Sequence, residues 1–211
     1  MAATLDLMAT DHLRRALHEP TEPPLRPLPA HVVHLLLALQ APPRLAAHLR
    51  AVHDVAAQLL AWLHRLYPNL AVDHDAVLFG AATHDIGKLE HRHELTGPGC
   101  AHEPAGHQLL LRHGVAEHLA RFALTHAQWD RDDATTEELL VSLADKIWKG
   151  KRVADLEQRI VQRLATADGQ QPWETFLRLD DALTRITEDA EARLAFQASC
   201  PVQPTGSSGR G

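Results

Sequence analysis

Residues 77–88 read Val77-Leu78-Phe79-Gly80-Ala81-Ala82-Thr83-His84-Asp85-Ile86-Gly87-Lys88, an apolar helical stretch that closes on a histidine and an aspartate and opens a glycine-bearing loop. A His and an Asp side by side at a helix end can lean toward one point and supply one nitrogen and one oxygen to a hard-to-borderline metal. The plainer reading of this pair alone is a helix-terminal His near the negative end of the dipole, with an Asp in a turn. Three more polar residues stand where the helical pattern demands core. His53 lies on the stripe of Leu49, Ala56, Ala57 and Leu60, and His126 on that of Leu119, Phe122 and Ala123. Asp145 has Val141 at minus four and Trp148 at plus three. A carboxylate on such a face is costly unless it is paired, hydrogen-bonded or bound to a metal. One buried histidine is usually a satisfied core residue, whereas a set of such residues shares a single explanation in a metal site.

The chain around this stretch is helical in pattern. Val32, Leu35, Leu36 and Leu39 mark a short element; after a break at Pro42-Pro43, Leu45, Leu49, Val52, Ala56, Leu60 and Leu63 mark a longer one. These are steps of three and four residues. Further helices are predicted at about 73–86, 103–113, 115–128, 135–149, 152–166 and 172–196, with Gly114, Gly150 and Gly169 where helices should end. No run alternates as a strand does, so the expected class is all-α. Residues 1–19 read as a short helix, and Pro20, Pro23, Pro24, Pro27 and Pro29 make the next stretch extended. The expected organisation is an N-terminal arm over 1–30, a helical bundle over 31–198 and a disordered, Gly-, Ser- and Pro-rich tail over 199–211. Residues 31–40 are expected to pack on the chain's own bundle.

Composition narrows the function. The chain has 211 residues, 45% apolar and 4% aromatic, enough for one domain with a real core. Its 21 Lys and Arg against 27 Asp and Glu give a formal charge of −6, which argues against stable nucleic-acid binding. Cys100 and Cys200 form no C-x-x-C pair, so neither a disulfide scaffold nor a cysteine-built zinc knuckle is expected, and a reducing compartment fits best. With no apolar run near the ~20 residues of a membrane helix and no leader pattern, a cytoplasmic protein is expected. No P-loop, Rossmann, zincin or serine-hydrolase motif occurs. The 16 histidines are the unusual feature. Of these, His31, His34, His48, His64, His74, His107, His113 and His118 read mostly as surface residues.

The order His53-Asp54-Val55-Ala56, Thr83-His84-Asp85-Ile86-Gly87-Lys88, Leu143-Ala144-Asp145 resembles the HD-domain superfamily of metal-dependent phosphohydrolases, over roughly residues 44–150. The resemblance extends to the two-metal branch of that family through His102, followed shortly by Gly106 and an apolar helix, and through His126 in Leu124-Thr125-His126. It implies an HD-type helical bundle and six metal ligands: His53, His84, Asp85, His102, His126 and Asp145. In that scheme Asp85 bridges two divalent transition metals, with His53, His84 and Asp145 on one and His102 and His126 on the other. A mixed nitrogen and oxygen set favours Mn, Fe, Co, Ni or Zn over Mg. The implied reaction is attack of a metal-bridging hydroxide on the phosphate ester of a small phosphorylated metabolite or nucleotide, with Asp85 and Lys88 in catalytic roles. The cyclic-dinucleotide branch, HD-GYP, shares the HDIGK stretch, but its Gly-Tyr-Pro motif is absent: AQWDRDDATTEE follows His126.

Two other classes share the ligands: a di-iron HD-type oxygenase acting on a polyol or phosphonate, and a non-catalytic module stapled by metal. His91, Arg92 and His93 are read as exposed loop residues, with substrate contact as the alternative. The run Lys146, Lys149, Lys151 and Arg152 reads as a cationic helix end that complements the dipole, with attraction of an anionic substrate as its alternative.

Overall fold

The computed structural model describes residues 2–202, and the side chains from residue 10 onward. It is all-helical, with no strand among the described residues. Most of the predicted tail, 203–211, lies outside them. No described helix is long and apolar enough to cross a membrane.

The organising element is α3, Pro43–Leu66, which starts with a proline in its first turn, where the missing N–H costs nothing. Nearly every residue from Leu45 to Leu60 is buried, so α3 has no solvent face over this stretch and runs through the centre of the molecule. It is a core helix whose few polar side chains, among them His48, Arg50, His53 and Asp54, are buried with the rest. Before it come α1, Ala2–His18, and α2, Ala30–Ala38. Leu13, Ala16 and Leu17 of α1 join Val32, Val33 and Leu36 of α2 and Leu45, Ala46 and Leu49 of α3 in one buried cluster. The apolar α2 thus packs on the chain's own bundle.

The Pro-rich segment between α1 and α2 is non-helical and is tied to α3 by polar contacts. The buried Arg50 donates from Nη1 to the Glu19 carbonyl (2.9 Å) and from Nη2 to the Leu25 carbonyl (3.0 Å), and Arg26 N donates to Asp54 Oδ1 (3.0 Å).

Four shorter helices follow, of which the first and last pack on α3 and the middle two pack on each other. Asp73 caps α4, His74–Thr83, by accepting from Ala76 N (2.9 Å). The chain then turns through two short 3₁₀ segments, Ile86–Leu89 and Arg92–Leu95, into α5, His102–Arg112. Next follow α6, Glu117–Thr125, and α7, Thr136–Ile147. A capping box starts α7, in which Thr135 Oγ1 accepts from Glu138 N and Glu138 Oε2 accepts from Thr135 N. Ser142 Oγ of α7 lies 2.7 Å from the His126 carbonyl, which ties the end of α6 to α7.

The last three helices are α8, Ala154–Asp168, closed by left-handed Gly169, α9, Pro172–Glu188, and α10, Ala190–Ser199. The single helix expected over 172–196 is therefore two, broken at Asp189. The break serves the buried Arg193, whose Nη2 donates to the Ile186 carbonyl near the end of α9 and whose Nε donates to the Trp148 carbonyl (2.9 Å) beyond α7. One guanidinium thereby satisfies carbonyls at two helix ends.

A candidate metal centre

Five helices deliver polar side chains to one buried point. His48 comes from α3, His84 and Asp85 from the end of α4, His102 from the start of α5, His126 from the end of α6 and Asp145 from α7; all six are buried. Their donor atoms form two groups able to hold a metal ion, His48 with His84 and Asp145, and Asp85 with His102 and His126. Asp85 joins the two. Its Oδ1 lies 3.0 Å from His102 Nε2 and 3.5 Å from His126 Nε2, while its Oδ2 lies 3.0 Å from His48 Nε2 and 3.7 Å from His84 Nε2. The carboxylate thus turns one oxygen to each group, as a bridging ligand requires.

The imidazoles are prepared for the same task. His84 Nδ1 donates to the Ala81 carbonyl (3.0 Å) and His126 Nδ1 to the Ala123 carbonyl (3.1 Å), each three residues back at its helix end. With the proton on Nδ1, the lone pair of each ring sits on Nε2, the atom turned to the centre. His48 Nε2 and His84 Nε2 stand 3.2 Å apart. His102 Nε2 is buried with no hydrogen-bond partner despite its nearness to Asp85. At His102 burial pulls the imidazole down, but Asp85 and Glu94 outweigh it and raise it. A buried ring nitrogen left without a partner is costly in a purely polar core, and this crowding of nitrogens and carboxylate oxygens fits a cation. Burial pushes the His48 imidazole down, and burial together with His84 pushes His126 down to about 3, so both rings are neutral and free to ligate. Burial opposes ionisation of Asp85 and Asp145, but His84, His102 and His48 outweigh it at Asp85 and His84 with Lys146 outweighs it at Asp145; both stay well below the usual carboxylate range.

The centre forms the floor of a cavity of about 320 Å3. Lys88, Lys146, Lys149 and Arg44 line it together with Leu45, Leu95 and Trp148, and Glu103 is an acid on the wall outside the metal-ligand groups. Lys88 Nζ lies 2.5 Å from Asp85 Oδ2 and Lys146 Nζ 2.7 Å from Asp145 Oδ2, so two ammonium groups stand against the two carboxylates. The Trp148 ring meets the His48 ring edge-on, with centroids 4.9 Å apart, and fixes its plane. Lys149 lies over the Trp148 indole.

Comparison with protein-family models, with curated proteins and with solved structures finds no match.

Five of the six ligands expected from the sequence come together: His84, Asp85, His102, His126 and Asp145. His53 does not join them, and His48 stands in the group where His53 was expected. Five residues along a helix turn a side chain by about 140° and carry it about 7.5 Å along the axis, so the two histidines look to different neighbours. Because α3 is buried on all sides, membership of an apolar stripe says that a residue is inside, not which interior it faces. The same pattern was available for His48, with Leu45 at minus three and Val52 at plus four. Six of the other histidines read as surface are exposed and His107 is half-buried, which leaves His48 as the buried exception. His91, Arg92 and His93 are absent from the cavity lining. Glu94 is a further buried acid at the centre, behind His102. It accepts from His102 Nδ1 (2.5 Å), Ala101 N (3.1 Å) and His102 N (3.2 Å). In the sequence it sits in a charged loop stretch, Glu90 to Glu94, and nothing local marks it for burial.

The two histidines of α3 differ in a way that can be measured. His48→Ala is expected to lower the bound divalent metal from two equivalents to one, read by elemental analysis after metal loading, while His53→Leu keeps both. The His53 variant should instead change acid stability. Burial, with Arg26 acting in the same direction, pushes His53 down to about 4. Its folded value lies below the unfolded ~6.5, so the unfolded chain takes up the proton first as pH falls. Stability is therefore intact above pH ~6.5 and is lost progressively toward pH 4, by roughly 3 kcal/mol for this one group. Denaturant midpoints measured across that window should fall less steeply in His53→Leu than in the wild type; equal slopes would contradict this assignment.

Proposed function

We propose that the chain is an HD-type metal-dependent hydrolase of phosphate esters, acting on a small phosphorylated metabolite or nucleotide. The observation that carries the reading is Asp85, whose two oxygens face two separate His/Asp groups at the floor of a cation-lined cavity. His48, His84, Asp145 and Asp85 Oδ2 would hold one divalent ion, and Asp85 Oδ1, His102 and His126 the other. Two ions held so supply a water of lowered pKa and a clamp for the oxygens of an in-line phosphoryl displacement.

The chain's own residues do the rest. Lys88 and Lys146 stand beside the carboxylates, where an ammonium stabilises charge on nonbridging phosphoryl oxygens. Lys149 and Arg44 line the same cavity, which gives an acidic chain a local positive field for an anionic substrate. Leu45, Leu95 and Trp148 form the apolar wall that limits water and strengthens these interactions. A cavity of about 320 Å3 suits a small molecule and is too confined for a folded macromolecule.

The test is a panel of phosphate mono- and diesters incubated under nitrogen with protein loaded with Mn2+, Co2+, Ni2+ or Zn2+. Phosphate or alcohol release that requires the metal is the expected result. No release from any ester by protein carrying two equivalents of metal would overturn the reading, and oxygen uptake by the di-iron form with a polyol or phosphonate would replace it with the oxygenase class.

A further inference from the structure

The four histidines of the centre are backed in different ways. His84 and His126 donate Nδ1–H to backbone carbonyls, and His48 Nδ1 is buried without a hydrogen-bond partner. His102 Nδ1 alone meets a carboxylate, Glu94 Oε2, at 2.5 Å. Glu94 also accepts from Ala101 N and His102 N, the first amide groups of α5, and so fixes both the ring of His102 and the helix end that carries it. A carboxylate behind a ligating imidazole holds the proton on Nδ1, leaves the lone pair on Nε2 and raises its basicity.

The competing ammonium groups are also unevenly placed. Lys88 sits on Asp85 Oδ2, the oxygen turned to His48, and Lys146 sits on Asp145 Oδ2. A cation entering the His48–His84–Asp145 group works against both. A cation entering between Asp85 Oδ1, His102 and His126 meets a ring already backed by a negative charge.

We propose that Glu94 is a positioning residue that acts through His102 and makes the Asp85–His102–His126 group the tighter of the two cation positions, the one filled first. The inference rests on the two-cation reading above. It is tested on the full chain by titrating Co2+ into metal-free protein under nitrogen, followed by visible absorption and calorimetry. The wild type should bind two equivalents in two steps, and His126→Ala should lose the first of them. Glu94→Gln keeps the length of the side chain and an acceptor oxygen but removes the charge. It should weaken the first step by about 10- to 100-fold and leave the second unchanged, with partial recovery in Glu94→Asp.

A Glu94→Gln variant that titrates like the wild type overturns the proposal, and so does His126→Ala losing only the later step. Wild-type protein that binds fewer than two equivalents overturns this proposal and the two-cation reading together; two equivalents with an unaffected Glu94→Gln overturn this proposal alone. Should Glu94→Gln fail to fold, long-range 1H–15N spectra of metal-free wild type at alkaline pH decide: His102 must carry its proton on Nδ1, and a proton on Nε2 overturns the assignment.

Discussion

Asp85→Ala is expected to empty both cation positions at once and to abolish metal-dependent hydrolysis, because Asp85 is the carboxylate whose oxygens face both ligand groups. Loss of the metals removes several kcal/mol of transition-state stabilisation, which corresponds to a rate loss on the order of 1,000-fold or more. The variant also leaves the part-buried Lys88 without its 2.5 Å partner, so some loss of stability is expected as well. Asp85→Asn separates the two effects: it keeps the shape of the side chain and the fold, and still loses the bridging charge. Elemental analysis and calorimetry on both variants give the answer. Either variant retaining two equivalents at wild-type affinity would show that the two groups are not joined through this carboxylate. By contrast, His48→Ala and His126→Ala should each remove one equivalent, since each belongs to one group only.

The second large effect is expected from a residue with no donor atom. A Cβ added at Gly87 would stand 1.9 Å from the His102 carbonyl oxygen and 2.4 Å from Gly106 N, both backbone atoms of α5. A flexible side chain can yield to such a contact, but a helix backbone cannot, so Gly87→Ala must push the start of α5 away from the turn that carries Asp85. His102 moves with it. Overpacking of this kind costs about 1–3 kcal/mol in stability, and a displacement of about 1 Å at a reacting centre costs about 100-fold in rate. The expected result is a folded protein with a lowered melting temperature, the Asp85–His102–His126 position weakened and the other position nearly intact. The approach is mutual, because a Cβ at Gly106 would meet Gly87 N at 2.9 Å. Equal metal affinity at both positions in Gly87→Ala, compared with the wild type, would show that α5 can shift without moving His102.

Much of this molecule was readable along the chain. The three- and four-residue steps of Leu45, Leu49, Val52 and Leu60 announce α3, and Gly169 stands where α8 ends. His84 and Asp85 were placed at a helix end by the apolar run before them and the glycine after them. These features depend on the conformational preferences of a residue and its neighbours within a turn or two, and such preferences are written locally. The two-part helix over 172–196 was not legible, because the break at Asp189 follows from the burial of Arg193 between two helix ends.

Three features of the centre arise only when the helices pack. The choice of His48 over His53 depends on the rotation of α3 relative to α4 and α7, and a helix buried on every side carries no sequence mark of which side faces the centre. The burial of Glu94 depends on the 3₁₀ turn folding back under the start of α5, eight residues further along the chain. The sharing of Asp85 between two ligand groups depends on the contact of Gly87 with Gly106, which sets how closely α5 and its His102 approach. Local pattern decided most of the helices and placed His53, His126 and Asp145 inside them. The directions in which those groups point, and therefore which of them meet, were decided by the distances and rotations between helices, which are long-range quantities that no short window of sequence contains.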